Sequence, residues 1–209
     1  MATLFILLFI ITLFYIAISG RLFVCLNLLI VQGILLFGVA LYELKEINTV
    51  NLLIILLETL LFKAWFMPMY IKKVTNRNRI KRSVEPYVSG FNSILIVSLL
   101  IVGSLLLAFY LHNESLKISY LAAAFSGILT GLFIIVSRKE IIMHIIGYVV
   151  LENGIVLLSF SVGSHLPLAV NAGILLDILI SVLIFGLFLN KISKTFKDMD
   201  ISQLKSLTD

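Results

Sequence analysis

Seven stretches of this chain, about 2–19, 22–42, 50–71, 92–112, 118–137, 141–163 and 167–190, run almost free of charge. Each is as long as the roughly 20 residues a helix needs to cross the roughly 30 Å hydrocarbon core of a bilayer. Hydrocarbon offers no partner to a backbone N–H or C=O, so a spanning segment must satisfy its own hydrogen bonds as a helix or join a closed barrel. Barrel strands would be shorter and would alternate polar with apolar residues, which these runs do not. The expected fold is therefore all-α: a polytopic membrane helical bundle of about seven transmembrane helices. Composition agrees, with 61% hydrophobic and 13% charged residues, against about 45–50% and about 25% in soluble domains. The first run has no basic region ahead of it, and Gly20-Arg21 follows it rather than a small-residue cleavage site. It reads as a span and not as a cleaved leader.

Lysine and arginine in short loops set orientation. With the N-terminus outside, the inner connections hold Arg21; Lys72, Lys73, Arg77, Arg79, Lys81 and Arg82; Arg138 and Lys139; and Lys191, Lys194, Lys197 and Lys205. That is thirteen basic residues, against Lys45 and Lys117 in the outer loops. The net charge of +5 thus marks the cytoplasmic face, with anionic headgroups as a secondary contact, and not a nucleic-acid surface. A plasma (inner) membrane protein of a prokaryote with a cytoplasmic C-terminus is expected. The single Cys25 lies in an apolar run, so no disulfide framework forms.

The linker 72–91, "KKVTNRNRIKRSVEPYVSGF", is the only long polar connection. It divides an N-terminal three-helix unit (1–71) from a connecting helix with its outer loop (92–117), a second three-helix unit (118–190) and a cytoplasmic tail (191–209). Spans one and five, two and six, and three and seven run in the same direction. "QGILLF" (Gln32–Phe37) matches "NGIVLL" (Asn153–Leu158) at an offset of 121, and "IILLE" (Ile54–Glu58) matches "GILLD" (Gly173–Asp177) at 119. A parallel duplication of the three-helix unit is one explanation; chance similarity among Leu and Ile is the other.

A charge at mid-bilayer costs about 2.5–3.5 kcal/mol on insertion scales, so it turns inward and often marks an ion path. Glu58, Lys63, Glu152 and Asp177 all fall within spans. His144, Tyr148 and Glu152 follow one another at helical spacing, with His144 about 12 Å from the acid toward the cytoplasmic end. Burial disfavours the carboxylate anion of Glu152, which then stays neutral until a cation or water approaches. Asp177 shares a face with Gly173 and Ser181, a strip that permits close helix approach. Glu152 and Asp177 at one depth would share or relay a proton, because two nearby carboxylates resist double ionisation. Glu58 and Lys63 stand five apart, about 140° around the helix, and form no ion pair with each other. Pro68 cannot donate to the carbonyl of Ala64, which predicts a kink beside Lys63. Gln32, Asn27 and Asn171 are expected to form interhelical hydrogen bonds, and Trp65 and Tyr70 to face lipid. Structural alternatives stand beside each: headgroup contact for His144, packing hydrogen bonds for Glu152 and Asp177, snorkelling for Lys63.

"VLENGIVLL" (Val150–Leu158), "LPLAVNAGILLDILISVLI" (Leu166–Ile184) and "LLFKAWFMPMYI" (Leu60–Ile71) together resemble hydrogenase-4 component E. That family supplies a membrane subunit to formate hydrogenlyase-type, complex I-related hydrogenases. The resemblance implies kinship with the NuoK-type subunit of complex I, with Glu152 and Asp177 in place of its two buried acids. It also implies a proton-conducting, non-catalytic role without a cofactor of its own. The implied partners are antiporter-like and quinone-site-like membrane subunits and, through them, a hydrogenase-like peripheral arm. An acid often stands in the family where this chain has Asn171, and Glu58 matches no motif of it.

No Cys-x-x-Cys, Gly-rich phosphate loop or HExxH motif occurs, which argues against an autonomous cofactor or metal enzyme. The leading expectation is a proton-path subunit of an oxidoreductase complex, using Glu152, Asp177 and Lys63, with Glu58, His144 and Tyr148 in support. Two alternatives are a stand-alone proton-coupled secondary transporter and a pure assembly scaffold.

Overall fold

The computed structural model describes residues 2–43, 64–77, 87–111 and 116–161. Among these the chain is all-helical: α1 (Ala2–Ile18), α2 (Leu22–Glu43), α3 (Met67–Arg77), α4 (Gly90–Tyr110), α5 (Ile118–Ser137) and α6 (Ile141–Ser161). Four of them, α2, α4, α5 and α6, are long and apolar enough to cross a membrane, and α1 is a shorter apolar helix. The seventh expected span, 167–190, and most of the third lie outside the described residues.

Four helices close a ring, with α1 against α2, α2 against α6, α6 against α5 and α5 against α1. Phe9, Leu13 and Ile16 of α1, Leu22, Leu29 and Leu36 of α2, Ile134 of α5 and Met143 and Ile145 of α6 fill its centre. Outside the ring, α4 lies on α1 and α5, and α3 lies on α2. Helix α4 buries only Ser93, Val97, Ile101, Ser104 and Ala108, a single stripe at helical spacing. Its remaining faces present Leu95, Leu99, Leu106 and Phe109 outward. Ser89 caps its first turn, accepting from the Asn92 N–H at 3.4 Å.

The third span is irregular beside Pro68, as expected, and runs past its expected end. Residues 64–66 form one wide turn with π-helical hydrogen bonding before α3 begins. Pro68 explains this: without an N–H, it cannot complete an α-helical bond to Ala64, and the helix widens there. Helix α3 also continues to Arg77, beyond the expected limit at 71. Apolarity decides how much of a helix sits in lipid, but not where its hydrogen-bond ladder stops. Trp65 is exposed as expected, while Ala64, Met67, Pro68 and Ile71 form the buried stripe.

Packing is tightest between α5 and α6. A Cβ built on Gly131 would stand 2.6 Å from the Leu151 nitrogen, and one on Gly154 would stand 2.7 Å from the Ile128 nitrogen. Lipid tails are as apolar as leucine, so helices in a bilayer associate through close backbone approach of this kind. Gly131→Ala should therefore lower the unfolding temperature in detergent, at a cost of about 1–3 kcal/mol typical of overpacking. Gly103, with nothing within 4 Å, is the control: Gly103→Ala should leave stability unchanged or raise it by up to about 1 kcal/mol.

Candidate functional site

Glu152 stands in the middle of α6 and is 4% exposed. The glycine contact with α5 holds it there, because Leu151 on one side of it abuts Gly131 and Gly154 on the other abuts Gly127 and Ala124. Tyr148 and His144 lie one and two turns earlier on the same unbroken helix, both half-buried. The spacing expected for these three residues is thus realised on α6. Asp177, Lys63 and Glu58 lie outside the described residues, as does Asn171. Lys63 is nonetheless one residue from Ala64, which the structure does describe. A Cβ on Gly33 would stand 2.7 Å from the Ala64 Cα, so Ala64 packs on the residue following Gln32.

A ladder of polar side chains crosses the ring beside Glu152. The Thr12 hydroxyl donates to the Phe9 carbonyl at 2.6 Å and accepts from Gln32 Nε2 at 2.9 Å. Gln32 Oε1 accepts from Asn153 Nδ2 at 3.0 Å. All three residues are buried, Gln32 and Asn153 almost completely. Gln32 is about 15 Å along α2 from Leu22 and Asn153 about 18 Å along α6 from Ile141, which puts both near mid-membrane. Gln32 makes the interhelical bond expected of it. Asn27 does not: it is exposed, because five residues before Gln32 on a helix is about 140° around from the face that meets α6.

At one end of the ring a second contact joins α1 to the turn between α5 and α6. Arg138 was expected only to mark the cytoplasmic side, yet it is 2% exposed. Its Nη2 donates to the Ala17 carbonyl at 2.6 Å. A guanidinium at the C-terminus of α1 meets both an orphan carbonyl and the negative end of the helix dipole. Burial pulls the Arg138 pKa down from its ordinary value, while Cys25 and Glu140 nearby pull it back up; an arginine stays charged regardless. Sequence gave no sign of this role, since "SRKE" after an apolar run reads as an ordinary loop. Nearby, the Tyr87 N–H donates to the Ser137 carbonyl at 2.9 Å and fixes the entry to α4 against this turn. Both the Gln32–Asn153 and the Ala17–Arg138 bonds join residues 121 apart, the offset at which "QGILLF" matches "NGIVLL". Among the described residues no group of three His, Cys, Asp or Glu side chains could hold a metal ion.

A buried acid, a three-helix amide ladder and apolar spanning helices describe a membrane protein with a titratable centre. The chain is 26% identical over 190 residues, 88% of its length and 84% of the relative's, to an uncharacterized protein of Mycobacterium tuberculosis. It is 34% identical over 87 residues to hydrogenase-4 component E of Escherichia coli K12, and the same figures hold for that of Shigella flexneri. That alignment spans 42% of this chain and 40% of the hydrogenase component, and it relates part of the chain to a hydrogenase-4 component. No family model matches the chain, and no solved structure matches it.

The amide ladder predicts a coupling that can be measured. Gln32→Leu and Asn153→Leu should each destabilise the chain by about 1–3 kcal/mol, the cost of leaving one buried amide without its partner. The double variant should cost less than the sum, with a coupling of about 0.5–3 kcal/mol in a denaturation cycle.

Proposed function

We propose that this chain is a non-catalytic membrane subunit of a hydrogenase-like, complex I-related oxidoreductase complex, and that Glu152 carries protons within it. The observation behind this is the burial of Glu152 at the centre of a spanning helix, held in place by glycine contacts on both sides. An acid so placed is costly to keep unless it does something. The partial match to hydrogenase-4 component E supports the kind of complex. His144 and Tyr148 extend the line from Glu152 toward the end of the ring where Arg138 lies. Asp177, Lys63 and Glu58 complete the proposed path. For Lys63 the support is that Ala64 packs beside Gln32 at the depth of the amide ladder. The family resemblance supports antiporter-like and quinone-site-like subunits as neighbours. Basic-residue placement supports an N-terminus outside and a cytoplasmic C-terminus.

The equal separation of the two ring contacts supports duplication of a helical hairpin. Under this reading α1–α2 and α5–α6 are copies laid side by side in register, and equivalent residues meet at two depths. The position equivalent to Glu152 is then Val31, so only the second copy carries the acid.

Purification in mild detergent should recover the chain with larger membrane subunits and a redox-active peripheral arm. Within that complex Glu152→Gln should abolish redox-driven proton movement in inverted membrane vesicles while assembly remains intact. Unchanged pumping would reduce the chain to a scaffold. Recovery of the chain alone, with proton-coupled solute uptake, would replace this reading with that of a secondary transporter.

A further inference from the structure

The direction of the amide ladder is fixed by one hydroxyl. Thr12 Oγ1 and the Phe9 carbonyl oxygen stand 2.6 Å apart. Two oxygens that close repel unless a proton lies between them, and only the hydroxyl has one to give. The proton of Thr12 is therefore committed to Phe9, and toward Gln32 the hydroxyl presents a lone pair. Gln32 must meet it with its NH₂ group, at 2.9 Å. This orientation turns Gln32 Oε1 toward α6, so Asn153 must in turn present its own NH₂, at 3.0 Å. The amide assignments, ambiguous in an isolated Gln or Asn, follow here from a single threonine on α1. The ladder ends on Asn153 Oδ1, an acceptor on a side chain 1% exposed, with no hydrogen-bond donor among the described residues.

A buried amide oxygen without a donor is a binding feature, because hydrocarbon supplies nothing to it and its desolvation goes uncompensated. We propose that Asn153 Oδ1 anchors an internal water near mid-membrane, next along α6 from Glu152, and that Thr12 is the positioning residue that makes the ladder end in an acceptor rather than a donor. An acceptor is the appropriate terminus beside a proton-carrying acid, since it holds a water by its O–H and leaves the oxygen lone pairs free to receive a proton. Use of that water in proton transfer rests on the reading of Glu152 given above; its presence does not.

The test is water-edited solid-state NMR of the full chain in lipid bilayers, with asparagine labelled and the Asn153 signals assigned by their loss in Asn153→Leu. The Asn153 carboxamide should receive magnetisation from water at a rate comparable with that of Asn92, which is exposed at the start of α4. Thr12→Ser should keep one set of Asn153 side-chain signals. Thr12→Val should split them into two, because the ladder then has no fixed direction. A dry Asn153 in the unaltered chain overturns the proposal, and so does a Thr12→Val spectrum with a single unchanged set. Should Thr12→Val not fold, water transfer in the unaltered chain decides alone. Proton flux that survives Glu152→Gln while Asn153 is wet removes the relay reading and leaves this one standing. Flux lost in Glu152→Gln with Asn153 dry does the reverse.

Discussion

An amide placed in hydrocarbon has nowhere to put its hydrogen bonds except on another part of the protein, and this requirement joins the two hairpins at their centre. Gln32 and Asn153 are buried on different helices, and the Asn153 NH₂ donates to the Gln32 carbonyl oxygen between them. Leucine on leucine gains little between helices, because lipid tails offer the same contact. Directional bonds of this kind decide which faces of α2 and α6 meet. Thr12 extends the constraint to α1. Arg138 repeats it at the end of the ring, where the C-terminal carbonyls of α1 would otherwise go unsatisfied. The register of the ring is thus set at two depths by polar contacts and filled between them by Leu13, Ile16 and Leu29.

Glycine does the complementary work on the far side of α6. The backbones of α5 and α6 approach at Gly127, Gly131, Gly147 and Gly154 until no Cβ would fit. Helix α6 is consequently held on one face by backbone packing and on another by the Gln32 amide. Glu152 sits between those attachments, one residue from Asn153 and two from Gly154. A carboxyl group on a helix anchored this firmly keeps its depth, which the proposed role of Glu152 as a proton carrier would require of its support.

Much of the candidate site was legible in the residues themselves. An acid in the run "VVLENGIVLLSF" has one physical reading in a bilayer, burial toward other helices, and Glu152 is buried. The wide turn at 64–66 was foreshadowed by Pro68, since the missing N–H is a property of the residue. Gln32 was legible for the same reason as Glu152. Asn27 was not, because type and hydrophobic context are alike for the two while their faces differ by about 140°. Arg138 was least legible of all. A basic residue at the end of an apolar run obeys the positive-inside pattern whether it points into water or turns back to cap a neighbouring helix.

The sequence by itself determined that the described part of the chain is helical, that it suits a membrane and that Gln32 and Glu152 lie buried there. Those conclusions depend only on the length of apolar runs and on the absence of hydrogen-bond partners in lipid, which no tertiary arrangement alters. The tertiary structure decided which polar groups meet: Gln32 with Asn153 and Thr12, and Arg138 with Ala17. Apolar faces of spanning helices are nearly interchangeable in sequence, so pairing and rotation are fixed by a few hydrogen bonds and close glycine contacts that exist only once the helices have packed.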